Sequence, residues 1–218
     1  METARRYRGI TAAERRAERR ERLLEAGLEL FGTVGYARTS VRAVSAAASL
    51  NSRYFYESFG SREDLLYCVY QRIVSDIFTR ASEAVAQEDT IEGKARAGLR
   101  AGWTAVTEDR RKARIVALEV VGVSERIERL RRETRRALAQ LTAEQALSLA
   151  GGARLRLDPV LTARALMGGV VEVLLDWING DLNASVDEVV ELFTALFTAA
   201  AYAAVAPKAP GPPPPDSQ

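Results

Sequence analysis

Apolar residues recur at helical spacing along almost the whole chain, and no run of alternating β-branched residues predicts a strand. The only proline before residue 207 is Pro159, so little interrupts a helical body. Gly35 is a typical stop signal for the first helix. The pattern predicts an all-α protein, whose first helix presents one apolar face made of Leu23, Gly27, Leu30, Phe31 and Val34.

Short polar side chains mark where further helices begin, because they can accept hydrogen bonds from the free N–H groups of a first turn. The candidate caps are Thr39 or Ser40 for a second helix, Asn51 or Ser52 for a brief third and Ser61 for a long fourth. Asp158-Pro159 is a start signal and Gly180 a stop signal. Later helices are expected at about 91–107, 109–123, 125–150, 159–179 and 186–205.

A short break at Ser49-Leu50 separates the second helix from the third, which is the organisation of a helix-turn-helix. In such a unit a small core holds the third helix rigidly at the surface, where its exposed face can enter the DNA major groove. The apolar residues available for that core are Val41, Val44, Leu50, Phe55 and Phe59.

Charge is unevenly distributed although the formal net charge is only +2. Residues 1–62 carry 12 Arg and 7 acidic residues, whereas residues 158–205 carry seven acidic residues and one Arg. A basic amino-terminal portion suggests a module that binds a polyanion. Arg5, Arg6 and Arg8 either follow the phosphates or enter the minor groove, or belong to a solvated extension of the first helix.

Composition excludes several classes of function. The chain has no histidine and its single cysteine is Cys68, which leaves no disulfide within the chain, no thiolate zinc cluster and no imidazole triad. We therefore expect no catalytic residue, no metal and no cofactor. The apolar segments 160–178 and 192–206 are poor membrane spans, and we expect a soluble cytoplasmic protein without membrane contact.

The stretch from Arg22 to Val69 resembles the DNA-binding domain of the TetR family of transcriptional regulators. The resemblance implies an all-α homodimer, a variable ligand-binding carboxyl-terminal domain and, usually, repression relieved by a small molecule. The matching pieces occur in order: Phe31-Gly32, Gly35-Tyr36, Thr39-Ser40-Val41-Arg42, Ala47-Ala48-Ser49-Leu50-Asn51, Phe55-Tyr56 and Phe59-Gly60-Ser61-Arg62-Glu63.

Departures from the family pattern concern the turn and the third helix. Ser49 stands where the family usually has glycine, and a left-handed conformation there would cost about 1 kcal/mol. Arg53 and Tyr54 replace residues that are often small. Glu57 places a carboxylate near phosphates, which is unfavourable unless it meets an arginine or a cytosine amino group. We expect an operator that differs from those of better-known relatives.

The resemblance assigns groove contacts and phosphate contacts by position. Thr39 and Ser40 also have a structural interpretation as helix caps, and both roles are compatible because helix N-termini bind phosphate. For Tyr56 a core position is the alternative. The predicted groove residues are Arg42, Ser52, Arg53, Tyr54 and Tyr56, and the predicted phosphate contacts are Thr39, Ser40 and Arg62.

The expected domains are a basic arm (1–18), a helix-turn-helix domain (19–65), a larger helical domain for ligand binding and dimerisation (66–205) and a disordered proline-rich tail (206–218). For Glu119, pairing with a nearby arginine is favoured over a role as ligand anchor. The candidate pocket residues are Tyr67, Tyr70, Phe78, Trp103, Val106 and Glu119, each with ordinary packing as its alternative. The candidate dimer interface comprises Leu161, Ala165, Gly169, Trp177, Phe193 and Phe197.

Together these features predict a homodimeric repressor that binds a palindromic operator of double-stranded DNA in the major groove and is released by a small-molecule effector. The alternative is a ligand-independent helical DNA-binding regulator controlled by a protein partner.

Overall fold

Helices account for most of the residues that the computed structural model describes, which are 11–149 and 156–205. No strand occurs among them, and the all-α prediction is confirmed. Arg5, Arg6, Arg8, Gly151-Gly152 and the proline-rich tail lie outside the described residues. The elements are α1 (Ala12–Thr33), α2 (Val41–Ala47), α3 (Ser52–Ser58), α4 (Arg62–Val85), α5 (Ile91–Thr107), α6 (Arg110–Arg114), a π-helix (Ile115–Glu119), α7 (Glu125–Leu149), α8 (Pro159–Asn179) and α9 (Val186–Val205).

Side-chain caps fix where the amino-terminal helices begin. Thr11 and Glu14 form a reciprocal capping box, so α1 starts well before its apolar face and includes residues 12–18 of the predicted arm. Of the alternatives left open by the sequence, Ser40 caps α2 and Asn51 caps α3, and Ser61 caps α4 as predicted. The predicted ends of the first and eighth helices are confirmed by Gly35, with φ +96°, and Gly180, with φ +82°.

The single helix predicted over 109–123 is wrong. The chain forms the short α6, continues as the π-helix and leaves the helical path at Val120, and Gly122 has a φ of +70°. Val120 is fully buried in the amino-terminal core, so the chain turns inward at this point instead of continuing. A π-helical turn holds one extra residue and often marks a functional position.

The amino-terminal core is continuous with the larger helical part. Phe31, Phe55 and Leu65 have no exposed surface, and they share one apolar cluster with Ile115 and Ile127. The boundary predicted between residues 65 and 66 falls inside α4, which runs unbroken to Val85. The three-helix unit is therefore mounted rigidly on α4 and on the segment around the π-helix.

The larger part is a helical bundle in which α5 packs between α4 and α9, and α7 packs on α8. Its apolar cluster includes Trp103, Leu174 and Phe193. Within the described residues, no helix is long and apolar enough to cross a membrane.

Candidate functional site

The face of α3 that points away from the core carries the groups suited to reading DNA. Phe55 is completely buried and Phe59 is 4% exposed, so these two rings anchor the helix. Arg53 projects into solvent with 84% of its side chain exposed, and Tyr56 is 61% exposed. The core alternative for Tyr56 is excluded by this exposure. The helix presents a guanidinium group and a phenol on a rigid base.

The carboxylate of Glu57 meets arginines on two sides. Arg53 lies 3.3 Å from it one helical turn away, and Arg19 of α1 approaches to 3.8 Å. The guanidinium group of Arg19 also stacks over the ring of Tyr54, 4.6 Å from its centroid. These arginines offset the negative charge that Glu57 would bring toward a DNA backbone, which is the favourable case considered from the sequence.

The turn between α2 and α3 has the left-handed residue expected at Ser49, whose φ is +53°. Its backbone N–H donates to Ala46, and the N–H of Leu50 donates to Ser45. Arg22 of α1 donates to the carbonyl oxygens of Ala48 and Ser49. These bonds from Arg22 of α1 stabilise the turn, although its left-handed residue is not a glycine.

Two of the predicted phosphate contacts have structural partners. Thr39 is 2% exposed, and its hydroxyl donates to the carbonyl oxygen of Gly35 at 2.8 Å, so its side chain is corrected to a structural role in the loop between α1 and α2. Arg62 stacks on Tyr36 and donates through Nη1 to the carbonyl oxygens of Tyr36 and Thr39. Arg62 is partly exposed, so its phosphate contact stays a prediction beside this role in the loop.

Ser40 and Arg42 remain suitably placed at the exposed start of α2. The Ser40 hydroxyl accepts from the N–H of Ala43 at 3.1 Å, which confirms its cap and leaves the helix terminus open to an anion. Ser52 begins α3 and is partly exposed. The face formed by Ser40, Arg42, Arg53, Tyr54 and Tyr56 is here called the reading face.

A cavity of about 460 Å³ lies inside the larger bundle. Helices α4, α5, α7, α8 and α9 form its wall together with Val116 of the π-helix. Its size is within the range of small-molecule sites, and its lining is mostly apolar. Phe78, Trp103 and Val106 line it as predicted.

A junction of polar contacts, some partly buried and one exposed, links the cavity wall to the reading face. Glu119, three residues after Val116, accepts from the backbone N–H of Tyr36 at 2.7 Å and from Nε of Arg114 at 2.8 Å. Arg111 of α6 donates to Glu29 of α1 and to Asp109, which lowers the pKa of the Asp109 carboxyl. A shift of the π-helix would therefore pull on the loop that precedes α2.

Comparison with known proteins identifies the amino-terminal unit. The model of the tetR family of bacterial regulatory proteins matches residues 23–67. Residues 23–67 are therefore a DNA-binding unit of the TetR type. TetR-family regulators bind DNA and are not enzymes, in agreement with the function class expected from the sequence. No curated protein matches the chain.

Solved structures with the same fold include fatty-acid regulators. The fatty acid degradation regulator FadR from Bacillus halodurans aligns with a TM-score of 0.74 and 17% identity over 82% of this chain and 94% of that one. FadR from Bacillus subtilis in complex with stearoyl-CoA aligns at 0.72 and 17%, over 83% and 98%. A TetR-like regulator from Rhodococcus sp. RHA1 aligns at 0.68 and 21%, over 87% and 96%.

Three of the predicted pocket residues do not line the cavity. Tyr67 packs on the amino-terminal core beneath the guanidinium group of Arg126, and Tyr70 is 3% exposed within that core. Glu119 belongs to the junction, so its pairing with Arg114, which the sequence favoured, holds and its role as ligand anchor does not. The error arises because α4 extends through both clusters.

The predicted dimer interface combines two different helix faces. Phe193 is 4% exposed, and it lines the cavity together with Phe197. Gly169 lies beneath the Phe193 ring, and Trp177 packs in the bundle under Arg110. Phe193 is corrected to an interior site, whereas the half-buried Gly169, Trp177 and Phe197 stay predictions for the interface. Leu161 and Ala165 alone of the predicted set are exposed.

Exposed apolar residues recur along α8 and along α9, two helices that contact each other. We call these residues together the α8–α9 face. Isolated exposed leucines are common, but several on two neighbouring helices are typical of an interaction surface. The large residues on it are Leu161 (67% exposed), Leu192 (52%), Leu196 (44%) and Tyr202 (62%), and the small ones are Ala165, Gly168, Ala195 and Ala199.

Sequence reasoning missed the positioning roles of Arg22, Arg62 and Arg111. Each binds groups more than twenty residues away, two of them through backbone carbonyl oxygens, and no local motif encodes such contacts. The one available signal was Gly32 in the last turn of α1. A Cβ atom there would lie 2.7 Å from Cα of Arg111, which reveals a close helix crossing.

Ser49→Gly should stabilise the protein by up to about 1 kcal/mol, since glycine adopts the left-handed conformation without a steric penalty. In a protein of this size, that change corresponds to a rise of about 2–4 °C in Tm, measured by thermal unfolding. The control is Ala46→Gly on the exposed side of α2, which should lower stability by about 1 kcal/mol. A lower Tm for S49G would show that the serine side chain stabilises the turn.

Proposed function

We propose that this TetR-family regulator is a homodimeric repressor that binds a palindromic operator and leaves it when a small apolar molecule fills the cavity. The observation that carries the proposal is the reading face, where Arg53 and Tyr56 project from a helix anchored by buried Phe55 and Phe59. We assign DNA binding to residues 19–65 and ligand binding and dimerisation to residues 66–205.

Operator recognition follows from the chemistry of the reading face. The major groove admits one α-helix, and an arginine can donate two hydrogen bonds to the edge of a guanine. Arg42, Arg53 and Tyr56 are assigned to base edges, and Ser40 at the start of α2 is assigned to phosphates. One short helix reads few base pairs, so a two-fold dimer with half-sites about 34–36 Å apart, or a multiple of that, supplies the required specificity.

The α8–α9 face supports the homodimer. A two-fold contact brings the same surface of each protomer together, and small residues allow the helices to approach closely. Gly168, Ala195 and Ala199 are small exposed residues of the α8–α9 face. Its acidic surroundings, with a single Arg in residues 158–205, suit a surface that faces away from DNA.

Release by a ligand is supported by the position of the cavity. Val116 contributes to its wall, and Glu119 in the same π-helix holds the N–H of Tyr36. A ligand that displaces the π-helix would shift the loop before α2 and so move the reading face. The fold is shared with a regulator solved with stearoyl-CoA, and we infer by this likeness that the cavity holds a ligand.

The experiment that tests the proposal begins with the DNA that flanks the gene. Purified full-length protein is titrated on labelled fragments, and the protected region is mapped by footprinting. We expect protection of an imperfect palindrome with two equivalent halves. Thermal shift across a small-molecule library then tests the cavity, since a saturable rise in Tm indicates binding to the folded state. A protein that no compound stabilises would support control by a protein partner.

Arg53→Ala and Tyr56→Ala should each weaken binding to the operator by about 1–3 kcal/mol, which is about 5–150-fold, with little change on random DNA. Competition binding on both DNAs at fixed salt measures the ratio. The control is Arg136→Ala on the exposed side of α7, which removes the same charge far from the reading face. Equal losses on operator and random DNA would contradict base reading by these residues.

A further inference from the structure

The polar side chains of the cavity wall are concentrated at one end. The end formed by Val85, Ile91, Ala146 and Pro159 is here called the distal end, because α4 and α7 finish there and α5 and α8 begin there. Apart from the indole of Trp103, the polar side chains that the described residues contribute to the wall lie in its distal half, and they are Ser82, Lys94, Thr142, Gln145 and Thr162.

The opposite, proximal end is lined almost entirely by hydrocarbon. Trp103, Val106, Val116, Leu174 and Val189 form it, next to the junction. The indole N–H of Trp103 is the one side-chain donor among these five residues, and they offer no acceptor. Burying an unpaired polar atom there would cost several kcal/mol, so the proximal end favours a hydrocarbon tail.

The distal end retains unused hydrogen-bonding capacity. Of the described residues that line the cavity, Lys94 is the one with a charge, and none is a carboxylate. Among the described residues, the side chains of Ser82, Lys94 and Gln145 make no hydrogen bond or ion pair. Ser82 and Gln145 are exposed and Lys94 is half-buried, so this end opens to solvent.

We propose, building on the proposed function, that the effector is a long unbranched acyl chain with an anionic head group, whose tail occupies the proximal end and whose head lies at Lys94. The cation attracts an anion, and the hydroxyl and amide groups of Ser82 and Gln145 can donate to its oxygen atoms. The shared chemistry is that of a free fatty acid and of a fatty acyl thioester with a phosphorylated carrier.

The dimensions of the cavity agree with such a chain. Lys94 and Val106 line it from the same helix, twelve residues apart, which corresponds to about 18 Å at 1.5 Å per residue. An extended covalent chain advances about 1.2 Å per bond, as judged from the polypeptide backbone. The distance therefore accommodates an acyl chain of about fifteen bonds.

Calorimetric titration of the full-length protein with straight-chain fatty acids, from octanoate to palmitate and below their micelle concentrations, tests the tail. Each buried methylene is worth about 0.8 kcal/mol, so Kd should fall about fourfold per methylene until the cavity is full. Affinity that does not rise with chain length would overturn the inference about the tail.

Gly102→Leu tests the position of the tail independently. Gly102 lines the cavity eight residues from Lys94, about 12 Å along α5, opposite Ile77 and Ala81. A leucine there should leave room for about ten bonds, so palmitate binding should fall while octanoate binding persists. Equal effects on both acids would contradict this placement.

The head group is tested by comparing palmitate, hexadecanol and palmitoyl-CoA. The acid or the thioester should bind about tenfold more tightly than the alcohol, and Lys94→Met should remove that advantage without weakening the alcohol. Lys94→Arg should retain it, and Arg136→Met is the control for loss of charge elsewhere. The tighter of the two anions identifies the natural class.

The outcomes separate this inference from the proposed function. If alcohol and anions bind equally to both the native chain and K94M, the anionic head is wrong although the cavity binds ligand. If no acid, alcohol or thioester binds, both this inference and a cavity for long-chain effectors are wrong. Release of operator DNA by compounds of another class would then still support the proposed repressor.

Discussion

A chain that carries both Leu161→Asp and Leu196→Asp should be a folded monomer that binds the operator at least about 100-fold more weakly than the native protein. Joining two binding modules raises the apparent affinity by about 10²–10⁴, and a monomer loses that gain. Both leucines are exposed in the described chain, so the substitutions should leave the bundle intact.

Burial in the proposed dimer is what makes these aspartates disruptive. The two-fold axis places four new carboxylates in one apolar contact, where each charge loses its hydration without a partner. Sedimentation or light scattering gives the mass, circular dichroism checks the helical content, and operator titration gives Kd.

A matched variant separates the interface from general surface effects. Val121→Asp with Leu147→Asp adds the same two charges at exposed apolar positions outside the α8–α9 face. It should remain dimeric and bind the operator like the native chain. A dimeric L161D/L196D protein with unchanged affinity would place the interface on another surface.

Local signals allowed the helices of this region to be predicted, but the face they present could not be. Asp158 caps α8 ahead of Pro159, and Gly180 ends it with φ +82°. Local residues therefore determine both ends of the helix. The apolar residues of α8 surround most of its circumference. The sequence pattern therefore does not distinguish Phe193 and Gly169, which face the cavity side, from Leu161, which faces solvent.

In and around the reading face, too, some roles could be predicted from the sequence and others could not. Phe55 and Phe59 were predicted as core and Arg53 as exposed because helical periodicity within α3 determines their sides. Arg62 resembles a phosphate contact in sequence, yet its partners are carbonyl oxygens of a loop more than twenty residues earlier. Such pairings depend on the tertiary arrangement, and no periodic pattern in the sequence predicts them.

Gly32→Val should destabilise the protein by about 1–3 kcal/mol and weaken the response of operator binding to ligand. A Cβ atom at residue 32 would lie 2.4 Å from Cβ and 2.7 Å from Cα of Arg111, both far inside van der Waals contact. Because one of these atoms belongs to the backbone, α6 must move away from α1 as a unit.

That displacement has a functional consequence because α6 leads directly into the π-helix. Moving α6 should break the bonds from Arg111 to Glu29 and from the N–H of Tyr36 to Glu119, which connect the cavity wall to the reading face. Chemical unfolding gives the change in stability. Operator titration with and without a saturating effector gives the coupling free energy between the two sites.

The control for the stability measurement alone is Gly102→Ala in the interior of α5, where a new Cβ would make only ordinary contacts at 3.8 Å or more. Its ligand response is not compared, because Gly102 lines the cavity. Removing a helical glycine there should raise stability by up to about 1 kcal/mol. If G32V instead keeps native stability and full release by the effector, the close crossing of α1 and α6 does not transmit the signal. The π-helix would then have to act on the reading face through the shared apolar core around Ile115 and Val120.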